Sequence, residues 1–137
     1  MPGFLTDYNA PLVLDTITKR GSATSYLEIL TAAPTHTSTL STVTELSISG
    51  YSRQAVTWSV PAFNSSAGAW STSNTAAVVF GPFATDMTSI AIYLILVSAA
   101  SGTSGNIQYA FQLDLNFEAL AGTPVQVDIG ALAIYAS

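Results

Sequence analysis

The side chains with the clearest potential for catalysis are a few carboxylates. Asp114 and Glu118 fall on the polar face of one strand pattern, and Asp128 belongs to the final strand pattern. Glycoside hydrolysis needs two carboxyl groups roughly 5–10 Å apart, whereas residues four apart in an extended strand are separated by about 13 Å. Asp128 could approach either of the other two acids, but the pattern favours solvated carboxylates on a wet strand face.

The second possible chemical group is the single histidine, His36, which lies between Thr35 and Thr37. A Ser-His-Asp triad needs a histidine held between a nucleophile and an acid, and no nucleophile-elbow motif surrounds any serine. The chain also lacks cysteine, a calcium-loop motif and a glycine-rich phosphate loop, which removes the common zinc, calcium and nucleotide signatures. The sequence therefore predicts a protein that is not an enzyme and that uses no metal or cofactor.

Aromatic residues offer a different kind of site, because their rings can stack on sugars or fill partner pockets. Trp58, Trp70, Tyr51 and Tyr93 are the members of such a platform that the sequence supplies. Trp58 lies in an alternating run and is predicted to be core, whereas Trp70 lies near a turn and is predicted to be an exposed contact.

Arg53 is notable because arginine and lysine are so scarce in this chain. An arginine in a sheet of low charge usually pairs with a carboxylate, and Glu28 or Glu45 is the predicted partner. A contact with another subunit is the functional alternative, since arginine is enriched at interfaces.

Composition limits the class of partner. The 137 residues suit one domain, and 49% are hydrophobic while only 8% are charged, with a net charge of −5. The three cations, Lys19, Arg20 and Arg53, are too few to neutralise phosphates, so nucleic acid is not an expected partner. The most apolar run, Ile90 to Ala100, is too short for a membrane helix, so a membrane is not expected either.

The elements that must position these side chains are mostly strands. Leu5, Tyr8, Leu12 and Ile17 recur at helical spacing, and a short helix is predicted over Asn9 to Lys19. Strand patterns cover Tyr26–Thr31, Glu45–Ile48, Tyr51–Val60, Thr75–Phe80, Thr88–Ser98, Ile107–Phe117 and a last strand from Val125 with a bulge at Gly130. The prediction is an all-β fold, a single antiparallel β-sandwich or jelly-roll-like domain over residues 25–137, preceded by a helical segment over residues 1–24.

Two strands carry contrasting patterns. In Ile107–Phe117 the odd-numbered residues are apolar and the even-numbered ones mostly polar, which predicts one wet face. In Thr88–Ser98 both faces are apolar, with Ile90, Ile92 and their alternate neighbours on one side and Ala91, Tyr93 and theirs on the other. One face should be covered by the opposite sheet, and the other by the helix or a second subunit.

The apolar strand, the long loop Pro34 to Thr44 and the rare polar or aromatic residues together give the predicted interface. Its residues are Ile90, Ile92, Tyr93, Leu94, Ile95, Arg53, Trp70 and His36.

Several segments carry a family resemblance. They are Leu5–Tyr8 (LTDY), Tyr26–Pro34 (YLEILTAAP), Thr44–Ser47 (TELS), Gly50–Trp58 (GYSRQAVTW) and Ser73–Phe80 (SNTAAVVF). In this order and spacing they resemble small virion proteins of tailed bacteriophages, described as capsid decoration (cement) or tail-fibre-like proteins. The resemblance spans Leu5 to Phe80, and the chain departs from the pattern after Phe83.

The resemblance implies a structural virion protein made in the bacterial cytoplasm and assembled in many copies. The expected function is capsid decoration, in which the chain stabilises the shell by contacts with the major capsid protein and with copies of itself. The expected location is the capsid surface rather than the tail. The alternative is a tail or fibre module that binds a host receptor or glycan.

Overall fold

The computed structural model describes residue 1 and residues 3–136, and these form one helix and nine strands. The elements are α1 (Asn9–Thr18), β1 (Ser25–Leu30), β2 (Gln54–Val56), β3 (Ala62–Asn64), β4 (Ala69–Ser73), β5 (Val78–Phe80), β6 (Ala91–Val97), β7 (Ile107–Phe117), β8 (Val125–Val127) and β9 (Ala133–Ala136). Pro2 and Ser137, the last residue of the predicted domain, lie outside the described residues.

The strands form three antiparallel sheets. The first sheet has the order β2-β1-β6-β7, the second β3-β4-β9, and the third pairs β5 with β8. Leu27, Leu94 and Leu96 of the first sheet share one core with Phe80 of the third sheet and Ile134 of the second. The prediction of an all-β, sandwich-like fold with a short N-terminal helix is confirmed.

Helix α1 begins and ends close to its predicted limits. The backbone N–H of Asn9 donates to the hydroxyl of Thr6 over 3.3 Å, and Pro11 lies in the first turn, where its missing N–H costs no intrahelical bond. The helix ends one residue before the predicted limit, because Lys19 adopts the left-handed conformation with φ 60°. Ala10 and Leu14 are fully buried in the core, so the helix packs on the sandwich. The division into residues 1–24 and 25–137 stays a prediction.

The predicted strand Tyr51–Val60 is much shorter in the structure. Only Gln54–Val56 pairs with β1, and Trp58 forms a single bridge to Asn74 in the opposite layer. The chain thus crosses from one layer to the other within the predicted strand, which alternating patterning alone does not reveal.

The predicted bulge at Gly130 is a turn between two strands of different sheets. The amide of Ala131 donates to the carbonyl of Asp128 over 3.1 Å, and Gly130 has φ 78°. The side chain of buried Asn74 accepts from the amide of Leu132 over 3.0 Å and donates to the carbonyl of Asp128 over 2.9 Å. These bonds hold the turn where the chain leaves the third sheet for the second.

The apolar strand β6 contains an irregularity that changes its faces. Its register with β7 shifts between Ala91 and Tyr93, so Ala91 joins the core with Leu94, in the phase opposite to the predicted one. Ile92 lies at this shift, opposite four residues of β7, and the alternation of β6 that the sequence analysis had assumed changes phase there.

The outer face of the first sheet is covered by the chain itself. Leu30, Ile95 and Val97 are fully buried there beneath Leu40, which is 5% exposed and belongs to the loop that follows β1. The expectation that a helix or a second subunit covers this face is therefore wrong: the loop does so, although its sequence is mostly serine and threonine.

That loop is held by hydroxyl groups at two successive turns. The amide of Thr35 donates to Ser38 Oγ over 2.8 Å, and the amide of Thr39 donates to Thr42 Oγ1 over 2.8 Å. Side-chain bonds of this kind satisfy backbone donors that have no strand partner. They give the loop a defined shape that keeps Leu40 against the sheet.

Candidate functional site

A cluster of exposed apolar side chains lies beside the N-terminus of the described chain. We call it the N-terminal face, and it is formed by Phe4, Leu5, Leu12, Val13 and Phe63. Phe4 is 84% exposed and Phe63 is 55% exposed. The two residues line a groove of about 420 Å³ together with Leu5, and Leu5 also lines an adjoining groove with Leu12 and Val13. The shared Leu5 makes the surface continuous.

The helix and strand β4 fix the N-terminal face. Because α1 turns Ala10 and Leu14 towards the core, its residues Leu12 and Val13 remain on the outside. The carboxylate of Asp7 accepts a 2.9 Å hydrogen bond from the indole N–H of Trp70, which ties the N-terminal segment to β4.

The lining of both grooves contains one charged side chain, Asp7, and Trp70 already occupies one of its oxygens. Large exposed apolar patches on soluble proteins generally mark contacts with other macromolecules. The surface is therefore suited to a predominantly apolar partner, and Asp7 is the one charged residue in the lining of the two grooves.

Arg53 lies in a buried cluster with both predicted partners. Its Nε lies 2.9 Å from Glu45 Oε2 and 3.3 Å from Glu28 Oε2. The guanidinium also donates to the carbonyl oxygens of Ala99, over 3.1 Å, and Gly102, over 2.9 Å. Because Arg53 joins β1, the segment after the covering loop and the turn after β6, it acts as a structural clamp.

Glu28 is the most unusual member of the cluster. Its carboxylate is fully buried, and within the described chain neither oxygen has a hydrogen-bond partner. Burial, reinforced by the charge of Glu45 and opposed by that of Arg53, raises the pKa of Glu28 to about 7. The neighbouring Tyr51 hydroxyl donates to Glu45 Oε2 over 2.8 Å and accepts from the amide of Ile29 over 3.1 Å, and burial raises the pKa of this phenol well above its usual range.

A strongly shifted carboxyl in a cleft is a reason to look for catalysis. The groove beside this cluster is lined by Glu45, Tyr51 and Arg53, but Arg53 already binds the accessible carboxylate. Glu28 itself is not part of the groove lining. The cluster is accordingly interpreted as a structural one.

Two of the predicted interface residues meet in one shallow groove. His36 and Tyr93 line it together with Ile107 and Ala110, and its volume is about 320 Å³. Within the described residues the imidazole of His36 has no side-chain hydrogen bond, so the structure does not assemble a triad around it. The groove joins the tip of the covering loop to the edge of the first sheet.

The structure distributes the other predicted interface residues differently. Leu94 and Ile95 are buried within the chain, at 4% and 0% exposure, whereas Ile90 precedes β6 and is 48% exposed. Trp70 is half-buried on β4 at the margin of the N-terminal face. Whether any of these residues contacts a partner stays a prediction.

The acidic residues do not form a site. Asp114 and Glu118 are exposed, and Asp128 accepts a hydrogen bond from Gln126 over 2.9 Å. Across the part of the chain that the structure describes, no group of three or more His, Cys, Asp or Glu side chains is placed to hold a metal ion. No described helix is long and apolar enough to span a membrane.

Sequence reasoning missed the N-terminal face because its residues come from separate segments. Phe4 precedes the helix, Leu12 lies within it, and Phe63 belongs to a hairpin strand. One signal could have found part of it: α1 carries Leu12 and Val13 as well as Ala10 and Leu14, so it is apolar on more than the one face that a surface helix needs.

Comparison with known proteins gives one result that matches this picture. Residues 5–135 match the family model described as Podophage GP4 fiber I protein gp80. Neither the comparison with curated proteins nor that with solved structures finds a match. The family description is that of a structural phage protein, which argues against an enzyme, and it agrees with the resemblance seen in the sequence. Because the match covers nearly the whole chain, this protein belongs to the podophage GP4 fibre I protein family and is a bacteriophage virion protein of the fibre or decoration type.

Proposed function

We propose that this chain is a non-catalytic fibre module of the phage particle, and that it is mounted on the particle through the N-terminal face. The family description names a fibre protein, and this description leads us to favour a fibre over the capsid decoration expected from the sequence. The observation that carries the proposal is the continuous apolar surface around Leu5, which the fold exposes and does not use in its own core.

Physical reasoning supports attachment at this surface. Phe4 and Phe63 are 84% and 55% exposed, and at ~150–250 Å² for a whole aromatic side chain they are strong anchors when buried. Contact with a structural partner would remove this apolar area from water, and the one charge it would cover is that of Asp7, whose carboxylate accepts from Trp70. A module held in several copies then gains further strength through effective concentration.

The direct test is incorporation of a double variant, Leu12→Lys with Phe63→Lys, into phage particles. Two buried ammonium groups would oppose docking strongly, so we expect particles that lack the chain when quantified by mass spectrometry. Val79→Lys is the single-lysine control, because Val79 is 42% exposed on β5 and lines neither groove, and it should be incorporated normally. A cooperative denaturation curve for each isolated variant would show that its fold is intact. Normal incorporation of the folded double variant would overturn the attachment proposal.

The same particles distinguish a fibre from a capsid decoration. Density or gold label at the tail, with a copy number set by the symmetry of the tail, supports the fibre proposal. A copy number that follows that of the major capsid protein, with label over the shell, would overturn it and establish the decoration role.

A further inference from the structure

Strand β7 is the longest strand of the described chain and forms an open edge of the first sheet. Its eleven residues, Ile107–Phe117, pair with β6 on one side only. Among the described residues, no backbone hydrogen bond beyond the β6 ladder reaches residues 108–116. An edge of this length presents a row of unpaired N–H and C=O groups, which is a template for another strand.

The second half of β7 also loses contact with β6. The register passes from Gln112, opposite Tyr93, directly to Phe117, opposite Ala91. Residues between these points run past β6 without register partners there, and Leu115 is 83% exposed. An exposed apolar side chain on a strand with unpaired backbone N–H and C=O groups is energetically unfavourable in an isolated chain, because both could be covered by another strand.

Proteins usually protect such edges with lysine, proline, a short strand or a covering segment. The β7 sequence, IQYAFQLDLNF, contains no lysine, arginine or proline, and Asp114 is its one charged residue. The other edge strand of the same sheet, β2, is only three residues long. Within the first sheet β7 is therefore the longer open edge, and its protection is limited to Asp114 and to the irregular segment after Gln112.

We propose that β7 pairs antiparallel with β7 of a second copy, about a two-fold axis at Gln112, which joins the two first sheets into one continuous sheet. The proposal rests on the self-complementarity of the strand in this register. Leu115 then lies opposite Tyr109 of the second copy, Asn116 opposite Gln108, and Asp114 opposite Ala110. Apolar residues meet apolar ones and polar residues meet polar ones in this register, except at the two Asp114–Ala110 positions, where each carboxylate lies opposite a small side chain.

The charge of Asp114 disfavours the register in which the axis moves towards the C-terminal end of the strand. A shift of the axis from Gln112 to Asp114 would put the two carboxylates directly opposite each other, which is destabilising across strands, and it would shorten the overlap. A slip of one residue would place polar side chains opposite apolar ones. The pairing uses no residue of the N-terminal face, so it does not depend on the mode of attachment proposed above.

A single cysteine tests the register, because the native chain contains none. Gln112→Cys places two thiols on the two-fold axis, where opposite Cβ atoms are about 4.5–5.5 Å apart, close to disulfide distance. We expect a disulfide-linked dimer on mild oxidation of the dilute, purified chain. Gln108→Cys is the matched control: its thiols would be about 26 Å apart in this register, so it should form no disulfide-linked dimer.

A charge introduced at Ala110 provides a second test of the register that does not use cysteine. Ala110 is exposed, so substitution there leaves the fold intact. Ala110→Asp creates two opposed carboxylate pairs across the axis and should raise the dimer dissociation constant roughly tenfold, whereas Ala110→Lys should leave it unchanged or lower it. Sedimentation equilibrium measures both.

Three results would overturn the proposal. The first is a wild-type chain that stays monomeric at every concentration, which would leave the edge for another protein. The second is equal cross-linking of the Gln112→Cys and Gln108→Cys chains. The third is a dimer that responds equally to aspartate and lysine at position 110.

Discussion

Of two apolar surfaces in this molecule, one is buried by the chain itself and the other is left exposed. The outer face of the first sheet is formed mainly by the apolar strand β6, with Leu30 of β1, and the chain covers it with Leu40 and its neighbours. The N-terminal face is formed by residues from three separate segments and remains exposed. A run of apolar residues thus marks where the chain buries itself, whereas apolar residues scattered over loops and a helix mark the surface left for a partner.

The largest effect on the unfolding free energy is expected at the structural clamp formed by Arg53. Arg53→Ala leaves the Glu28 carboxyl buried without its cation and releases the carbonyls of Ala99 and Gly102, which should cost about 4 kcal/mol of unfolding free energy. Urea denaturation followed by tryptophan fluorescence measures it. The double variant Arg53→Ala with Glu28→Gln should recover part of the loss, and no recovery would show that Glu28 and Arg53 are not coupled.

The pH dependence of the same cluster is the next largest effect. The Glu28 pKa is raised from 4.5 to about 7 in the folded chain, so between these values the folded state holds a proton that the unfolded state has lost. Stability should therefore fall as the pH rises from 4.5 to 7, by about 3 kcal/mol, and the Glu28 contribution should be constant above that range.

The Glu28→Gln chain isolates this contribution, because every other titrating group is retained. Its stability should change less between pH 4.5 and 7 than that of the wild-type chain. Parallel curves for the two proteins would show that Glu28 titrates normally.

Substituting one leucine in each of the two apolar surfaces and measuring the change in unfolding free energy tests the difference between them. Leu40→Ala removes the cover of Ile95 and Val97 and should cost about 2 kcal/mol, at the low end of buried leucine truncations because a loop can partly collapse. Thermal or urea unfolding measures the loss. An effect below the uncertainty of the method would mean that the outer face does not need this loop.

The smallest effect is expected at the N-terminal face. Leu12 is 50% exposed, so Leu12→Ser should change the unfolding free energy by within about 0.5 kcal/mol, while it weakens retention of the chain on purified particles. A stability loss as large as that of Leu40→Ala would place Leu12 in the core and not at a docking surface.

The features that local patterns specify could be predicted from the sequence. The limits of β7 follow from its strict alternation, and the partners of Arg53 follow from the scarcity of charge, which left Glu28 and Glu45 as the predicted choices. The helix could be placed to within one residue, because capping and spacing signals are local.

The features that depend on long-range geometry could not be predicted from the sequence. The irregularity at Ile92 changes which side chains of β6 face the core. The alternation of apolar residues in the sequence gives no sign of this change. The role of Leu40 was hidden because a serine- and threonine-rich loop carries few apolar residues. The N-terminal face exists only once the fold brings Phe4, Leu12 and Phe63 to one side of the molecule.

The hydroxyl-bonded turns of the loop after β1 have a practical consequence. Their shape depends on short local bonds between Thr35 and Ser38 and between Thr39 and Thr42, while Leu40 and Val43 pack them against the sheet. Exposed Thr37 lies at the tip of the first turn, outside these packing contacts. A peptide inserted at that tip would interrupt the Thr35–Ser38 turn but leave the Thr39–Thr42 turn and the buried Leu40 in place, so the tip is the point of this loop where an insertion disturbs the core least.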